Sequence, residues 1–164
     1  MPLDHPHPPA RPRILFLCTA NSCRSQMAEG FARALHAATL ESHSAGIRAS
    51  TLNPLAVRAM GEVDIDISHH RSKTIDDLRH ASLDRFDLII AVCDGAADAC
   101  PVIPGSPILR APFDDPPKLA ASAPSADAAM PHYRRVRDEI HAFIASLPTR
   151  VPSRAPASTP HAAP

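Results

Sequence analysis

Six consecutive residues, Leu88-Ile89-Ile90-Ala91-Val92-Cys93, carry no polar side chain other than a thiol. The run is too short for a core helix and does not alternate, which is the pattern of a strand covered on both faces. A strand is therefore expected from Phe86 to Val92, and only helices on either side of a sheet supply such cover. The rest of the chain alternates accordingly. Arg13 to Leu17 is a second apolar run, followed by polar Thr19, Asn21 and Ser22 and then by Met27, Phe31 and Leu35 at helical spacing. A further extended segment covers Glu41 to Ile47 and ends at Gly46, and Pro54 then sits near the first turn of a helix carrying Leu55, Val57 and Met60. Ser72 can cap a short helix through Leu78, and a weaker strand lies near Ile108. A last helix, placing Tyr133, Val136, Ile140, Phe143, Ile144 and Leu147 on one face, should dock across the sheet. The expectation is an α/β domain: a four-stranded parallel sheet with helices on both faces and ligand sites at the carboxyl ends of its strands.

Ten of the 19 prolines fall in residues 1–12 and 148–164, beside runs of Ala, Ser and Thr with few large apolar residues. Both segments read as disordered tails around one domain at 13–147. His5 and His7, in the first of them, can pick up stray metal but form no site. Residues 116–131 read as a mobile surface insertion rather than an element. Seventeen basic residues cancel 17 acidic ones and aromatics make up 4%, which argues against a nucleic-acid surface. The longest apolar run is far below the roughly 18–20 residues that cross a bilayer, and the N-terminus lacks the cationic start and apolar stretch of a secretory signal. A cytoplasmic monomer is expected, without membrane or nucleic-acid partners. In a reducing compartment the four cysteines are reactive, metal-binding or simply buried.

Their spacing carries the chemistry. Cys18-Thr19-Ala20-Asn21-Ser22-Cys23-Arg24-Ser25 joins the first strand to the first helix, where backbone N–H groups can converge on an oxyanion. Cys18 would be a thiolate nucleophile there, Arg24 a two-pronged clamp, Ser25 a hydrogen-bond donor to the Cys18 sulfur, and Asn21 the residue that tolerates a left-handed turn. Taken alone, Cys18 could equally be a small buried hydrophobe and Arg24 a solvated helix residue; the strand before and the helix after favour a site. Cys23 sits inside the loop and is read as structural or modulatory. Cys93 and Cys100 flank a segment that could be a marginal helix or an open loop. As a helix it would hold the sulfurs apart, so a Cys93–Cys100 disulfide would need local unwinding. The pair could be a redox switch, an incidental pair or two zinc ligands, although this spacing suits zinc poorly and no second pair completes a set. Loops after adjacent parallel strands share one sheet edge, which could bring Cys93 near Cys18.

The stretch CTANSCRSQMAEGFARAL, with SAGI at 44–47, EVDIDISHHRS at 62–72, the cysteine pair at 93 and 100, FDDP at 113–116 and RVRDEI at 135–140, resembles the arsenate reductases built on the low-molecular-weight tyrosine phosphatase fold. The resemblance spans the whole of 13–147 apart from the segment at 116–131. It implies that Cys18 attacks arsenate, that Cys93 attacks Cys18 with release of arsenite, and that Cys100 attacks Cys93 to leave a disulfide. Thioredoxin, or glutaredoxin with glutathione, would reduce that disulfide, and no bound cofactor or metal is implied. It further implies a general acid, the aspartate before a proline, which is Asp115; Asp114 is the neighbouring candidate. Some of these reductases hold potassium through positions matching Asn21, Glu29, Ser44 and an acidic residue, and Lys73 stands at the last. Its ammonium would replace the cation and pair with Glu29, so potassium independence is expected. His70 is expected near Glu29. The rivals are a tyrosine phosphatase, which needs neither Cys93 nor Cys100, and a non-catalytic redox or arsenic-binding protein, which needs no Arg24.

Overall fold

The computed structural model describes residues 10–100, 103–147 and 151. Apart from 10–12 and 151, the expected tails lie outside the described residues. The elements in chain order are β1 (Arg13–Cys18), α1 (Arg24–His36), β2 (Glu41–Gly46), α2 (Pro54–Gly61), α3 (Ile75–His80), β3 (Leu88–Ala91), α4 (Ala96–Ala99), β4 (Ile108–Arg110), α5 (Pro116–Leu119) and α6 (Ala126–Ala145).

The four strands form one parallel sheet in the order β2-β1-β3-β4. All four residues of β3 are buried, as are Ile14 to Cys18 of β1, so both faces of the central strands are covered. The strand expected over 86–92 is shorter, since Phe86 and Val92 fall outside the ladder, although both are buried. α1 turns Met27, Ala28, Phe31 and Ala32 inward and packs on β1 and β2. α3 lies against β2 and α4 against β1. No helix among the described residues is long and apolar enough to cross a membrane.

Three expectations need correction. The cap of α3 is Thr74, not Ser72: Thr74 Oγ1 accepts from the Asp77 N–H while Asp77 accepts from the Thr74 N–H, a reciprocal box that Ser72 has no matching acid to form. The segment 116–131 is not an unstructured insertion. Pro116, whose fixed φ suits a first helical turn, opens α5, and the Ser125 hydroxyl caps α6 by accepting from the Ala128 N–H at 3.2 Å. The alanines of this stretch supply little apolar periodicity but good helix propensity, and Ala129 and Met130 are buried. Finally, α6 reaches the core by packing on α1, α2 and α5, with Tyr133, Val136, Ile140 and Ile144 buried, Phe143 half-buried and Leu147 beyond the helix end.

The chain moves from β1 to β2 on one side and later to β3 on the other. The crevice beyond the carboxyl ends of β1 and β3 is therefore the topological switch point of the sheet, where α/β proteins place their ligands. Cys18 ends β1 there, and Cys93 lies two residues past β3.

Candidate active site

Every carbonyl from Cys18 to Ser22 is tied to the body of the protein. Cys18 O accepts from Ile47 N–H (3.2 Å), Thr19 O from Arg48 N–H (3.1 Å) and Ser22 O from Asn53 N–H (2.8 Å). Ala20 O accepts from the Ser72 hydroxyl (2.9 Å) and Asn21 O from Gln26 Nε2 (3.1 Å). In a planar trans peptide the N–H points away from the preceding carbonyl. Turning five carbonyls outward thus turns the N–H groups of residues 19–23 toward the concave side, which is how a loop without charge becomes an anion cradle. Asn21 has φ 47°, a left-handed turn that its side chain secures: Nδ2 donates to Ser25 Oγ and Ser44 Oγ (both 2.9 Å), and Oδ1 accepts from Gln26 Nε2 and the Lys73 N–H (both 2.9 Å).

Cys18, 4% exposed, presents its sulfur to the cradle. The sulfur accepts from the Asn21 N–H at 3.1 Å and is 2.9 Å from Ser25 Oγ. That hydroxyl oxygen already accepts from Asn21, leaving its proton available to the sulfur, and two donors suit a thiolate, which only accepts. Cys23 is also buried, but burial pushes its thiol pKa well up, so it is held as a neutral thiol. Arg24 opens α1, donates from Nη1 to Phe113 O at 2.9 Å and places Nη2 3.2 Å from Asp115 Oδ1. Cys18, Thr19, Arg24 and Asp115 line a cavity of about 320 Å³. A neighbouring cavity of about 740 Å³ shares Arg24 and Asp115 and adds Cys93, Phe113 and Lys118. The Cys93 sulfur is 3.5 Å from Thr19 Oγ1, so the second thiol touches the loop that holds the first.

Residues 13–110 match the family described as low molecular weight phosphotyrosine protein phosphatase. The chain belongs to this family. It is 45% identical over 128 residues to the protein named arsenate reductase of Halalkalibacterium halodurans, across 77% of this chain and 88% of that one. Among solved structures, the low molecular weight protein tyrosine phosphatase from T. tengcongensis matches with a TM-score of 0.66 at 27% identity, over 85% of this chain and 99% of that one. The thioredoxin-dependent arsenate reductase of Corynebacterium glutamicum matches with a TM-score of 0.61 at 26% identity, over 85% of this chain and 61% of that one.

Within this phosphatase-family frame the remaining candidate residues separate. Asp115 precedes α5 and lines both cavities, whereas Asp114 lines only the larger one and pairs with Arg135 at 2.9 Å. Cys100 follows the single turn of α4, is half-buried and lines neither cavity; burial raises its thiol pKa, and Arg79 lowers it by less. The segment between Cys93 and Cys100 is thus a loop and then one helical turn, and none of the four cysteines is in a disulfide. Lys73 Nζ lies 3.3 Å from both Glu29 Oε2 and Ser44 Oγ, the pairing expected from its position. His70 lies near Glu29, as expected, and bonds one turn earlier on the same helix. Its Nδ1 donates to Gln26 Oε1 at 2.9 Å, because Gln26, not Glu29, carries the link to Asn21, and burial lowers the His70 pKa. Among the described residues no group of three or more His, Cys, Asp or Glu could hold a metal ion. Sequence reasoning missed Gln26, Ser72, Asn53 and Arg48, which hold the loop from outside. All four act at least partly through main-chain partners that carry no sequence signature, and Arg48 and Asn53 act there through their own N–H groups.

Proposed function

We propose that this chain is an arsenate reductase. Cys18 attacks the arsenic of an arsenate held by the loop N–H groups and Arg24, forming an S–As bond while one oxygen leaves as water. Asp115 supplies the proton to that oxygen. The Cys93 thiolate then attacks the Cys18 sulfur. The S–As electron pair passes to arsenic, which falls from the pentavalent to the trivalent state and departs as arsenite, leaving a Cys18–Cys93 disulfide. Cys100 attacks Cys93, frees Cys18, and leaves a Cys93–Cys100 disulfide that a dithiol protein, thioredoxin or a glutaredoxin system, reduces.

The observation that carries this reading is Cys93 against Thr19 of the loop. A phosphatase ends its cycle with water and has no use for a second thiol there, and a mere arsenic trap has no use for Arg24 or an acid. Formation of the last disulfide requires the helical turn between the two thiols to open, a turn closed by the Ala99 N–H to Gly95 O bond at 3.0 Å, worth about 1 kcal/mol. The relay needs no bound cofactor, works in a reducing cytoplasm and is complete in one copy of residues 13–147. Phosphate shares the tetrahedral shape and charge of arsenate, so slow hydrolysis of aryl phosphates accompanies it.

The test is arsenate-dependent NADPH oxidation with thioredoxin and its reductase, beside a glutaredoxin and glutathione system, on wild type and Cys100→Ser. Turnover that vanishes in the variant supports the three-thiol relay. Rapid aryl phosphate hydrolysis with no arsenate turnover in either system makes the chain a phosphatase instead.

A further inference from the structure

Beyond the end of β2 the chain stays on the oxyanion loop. The N–H groups of Ile47 and Arg48 donate to Cys18 O and Thr19 O, so Arg48 is fixed by its own backbone to the residue after the nucleophile. Gly46 permits the approach: a Cβ there would lie 2.5 Å from Arg48 O and 2.9 Å from Ala20 C and Asn21 N. Arg48 in consequence lines the cavity that contains Cys18, together with Asp115 and Pro117. Its side chain is exposed, and no carboxylate of the described residues is paired with it. Arg24, the other cation of that cavity, already has a carboxylate partner in Asp115.

The charges of the cavity give this unpaired guanidinium a task. Asp115 is the proton donor of the function proposed above, which leaves Arg24 as the one other cation on the wall of this cavity. A tetrahedral dianion arriving beside the Cys18 sulfur carries more negative charge than Arg24 alone balances, and Arg48 supplies a second positive charge. We propose that Arg48 is a specificity-determining residue that recruits the oxyanion and favours its dianion over its monoanion. The identity of the substrate as arsenate rests on the function proposed above; anion capture does not. Because Arg48 is exposed, its attraction acts through solvent, weakens with salt and belongs to binding, not to the chemical step.

The test uses the full chain with Arg48→Gln and Arg48→Lys. The probe is inorganic phosphate, measured as protection of Cys18 from iodoacetamide by peptide mass spectrometry, with steady-state arsenate reduction measured in parallel. At low ionic strength Arg48→Gln should need about three- to tenfold more phosphate for half-protection. The gap should close above roughly 0.5 M salt, where the Debye length is only a few ångströms. Arg48→Lys should recover most of the loss, and the arsenate KM should rise by the same factor at unchanged kcat. A protection curve for Arg48→Gln that coincides with wild type at low salt overturns the inference, as does a loss equal at low and high salt, which would mark a structural role. Failure of phosphate to protect wild type also overturns it. A salt-dependent protection shift in a protein that reduces no arsenate supports Arg48 and removes only the reductase reading.

Discussion

Replacing Lys73 by methionine tests whether the loop rests on a buried charge. The ammonium sits 3.3 Å from Glu29 Oε2, and the Glu29 side chain is 2% exposed, whereas Arg33, its other cation, is 48% exposed. Methionine keeps most of the length and apolar stem of lysine and removes the charge. Stranding a buried ion by deleting its partner costs about 3–5 kcal/mol. Here Arg33 and the Ser44 hydroxyl still bond the carboxylate, so about 2 kcal/mol is expected. For a domain of this size that is a fall of roughly 5–8 °C in Tm, readable by circular dichroism or calorimetry in sodium buffer. Two companions isolate the cause. Glu29→Gln added to Lys73→Met should recover much of the loss, because no charge is then stranded. Exchanging sodium for potassium should raise the Tm of Lys73→Met, the cation entering the vacated space, and leave wild-type stability and activity unchanged. A Lys73→Met protein melting within about 1 °C of wild type, or one that Glu29→Gln fails to restore, would refute the buried-charge reasoning.

Ser25→Ala removes one of two donors to the Cys18 sulfur and should cut the rate of Cys18 alkylation at pH 6 by roughly tenfold, with the alkylation profile moved to higher pH. Arg24→Lys keeps the charge but loses the fork that spans substrate, Phe113 O and Asp115, so kcat/KM for arsenate should fall about 100-fold or more. Cys93→Ser should abolish arsenate turnover and spare slow aryl phosphate hydrolysis; loss of both in a folded protein would contradict the division of roles between the thiols. Glu62, held chiefly by its bidentate bonds to Arg134, has its pKa lowered to about 2 from 4.5. A depressed carboxylate contributes stability above its unfolded pKa and loses it as pH falls through the folded one. The difference in Tm between wild type and Glu62→Gln should therefore be constant above about pH 5 and shrink toward pH 2.

What the sequence disclosed follows from where its signals are dense. The run at 88–93 and the strand at 13–18 are apolar without alternation, and continuous apolarity in so short a segment has few other meanings. The loop was legible because Cys18, Asn21, Arg24 and Ser25 each have a chemical reason to stand at a strand-to-helix turn. The segment 116–131 was not, because alanine serves helix and loop composition alike, and Pro131, which lies inside α6, looks like a boundary. Ser72 and Thr74 are both acceptable caps in sequence. The choice falls to Asp77, three residues past Thr74, while Ser72 is drawn away to Ala20 O. Arg48 left no trace at all, since its place at the cavity depends on a strand register that extends past Gly46.

The order of the sheet explains how one loop can serve both a phosphatase and the relay proposed here. β1 carries the nucleophile and has two neighbours, β2 and β3. The chain leaving β2 binds the loop carbonyls of Cys18 and Thr19 and, through Ser44, the side chain of Asn21, so this neighbour fixes the direction of the loop amides. The chain leaving β3 meets the loop through a side-chain contact, Cys93 to Thr19. In the proposed relay, a thiol that swings onto the Cys18 sulfur and then away to Cys100 leaves from that side without releasing the cradle. Had Cys93 been placed after β2, the same movement would have pulled out the amide bonds that orient the loop, and oxyanion binding would have been lost at the step that regenerates it. On the proposed relay, the division between a neighbour that holds and a neighbour that reacts is thus set by strand order, with the thiol at the end of β3 as the group added to a phosphatase scaffold for reduction.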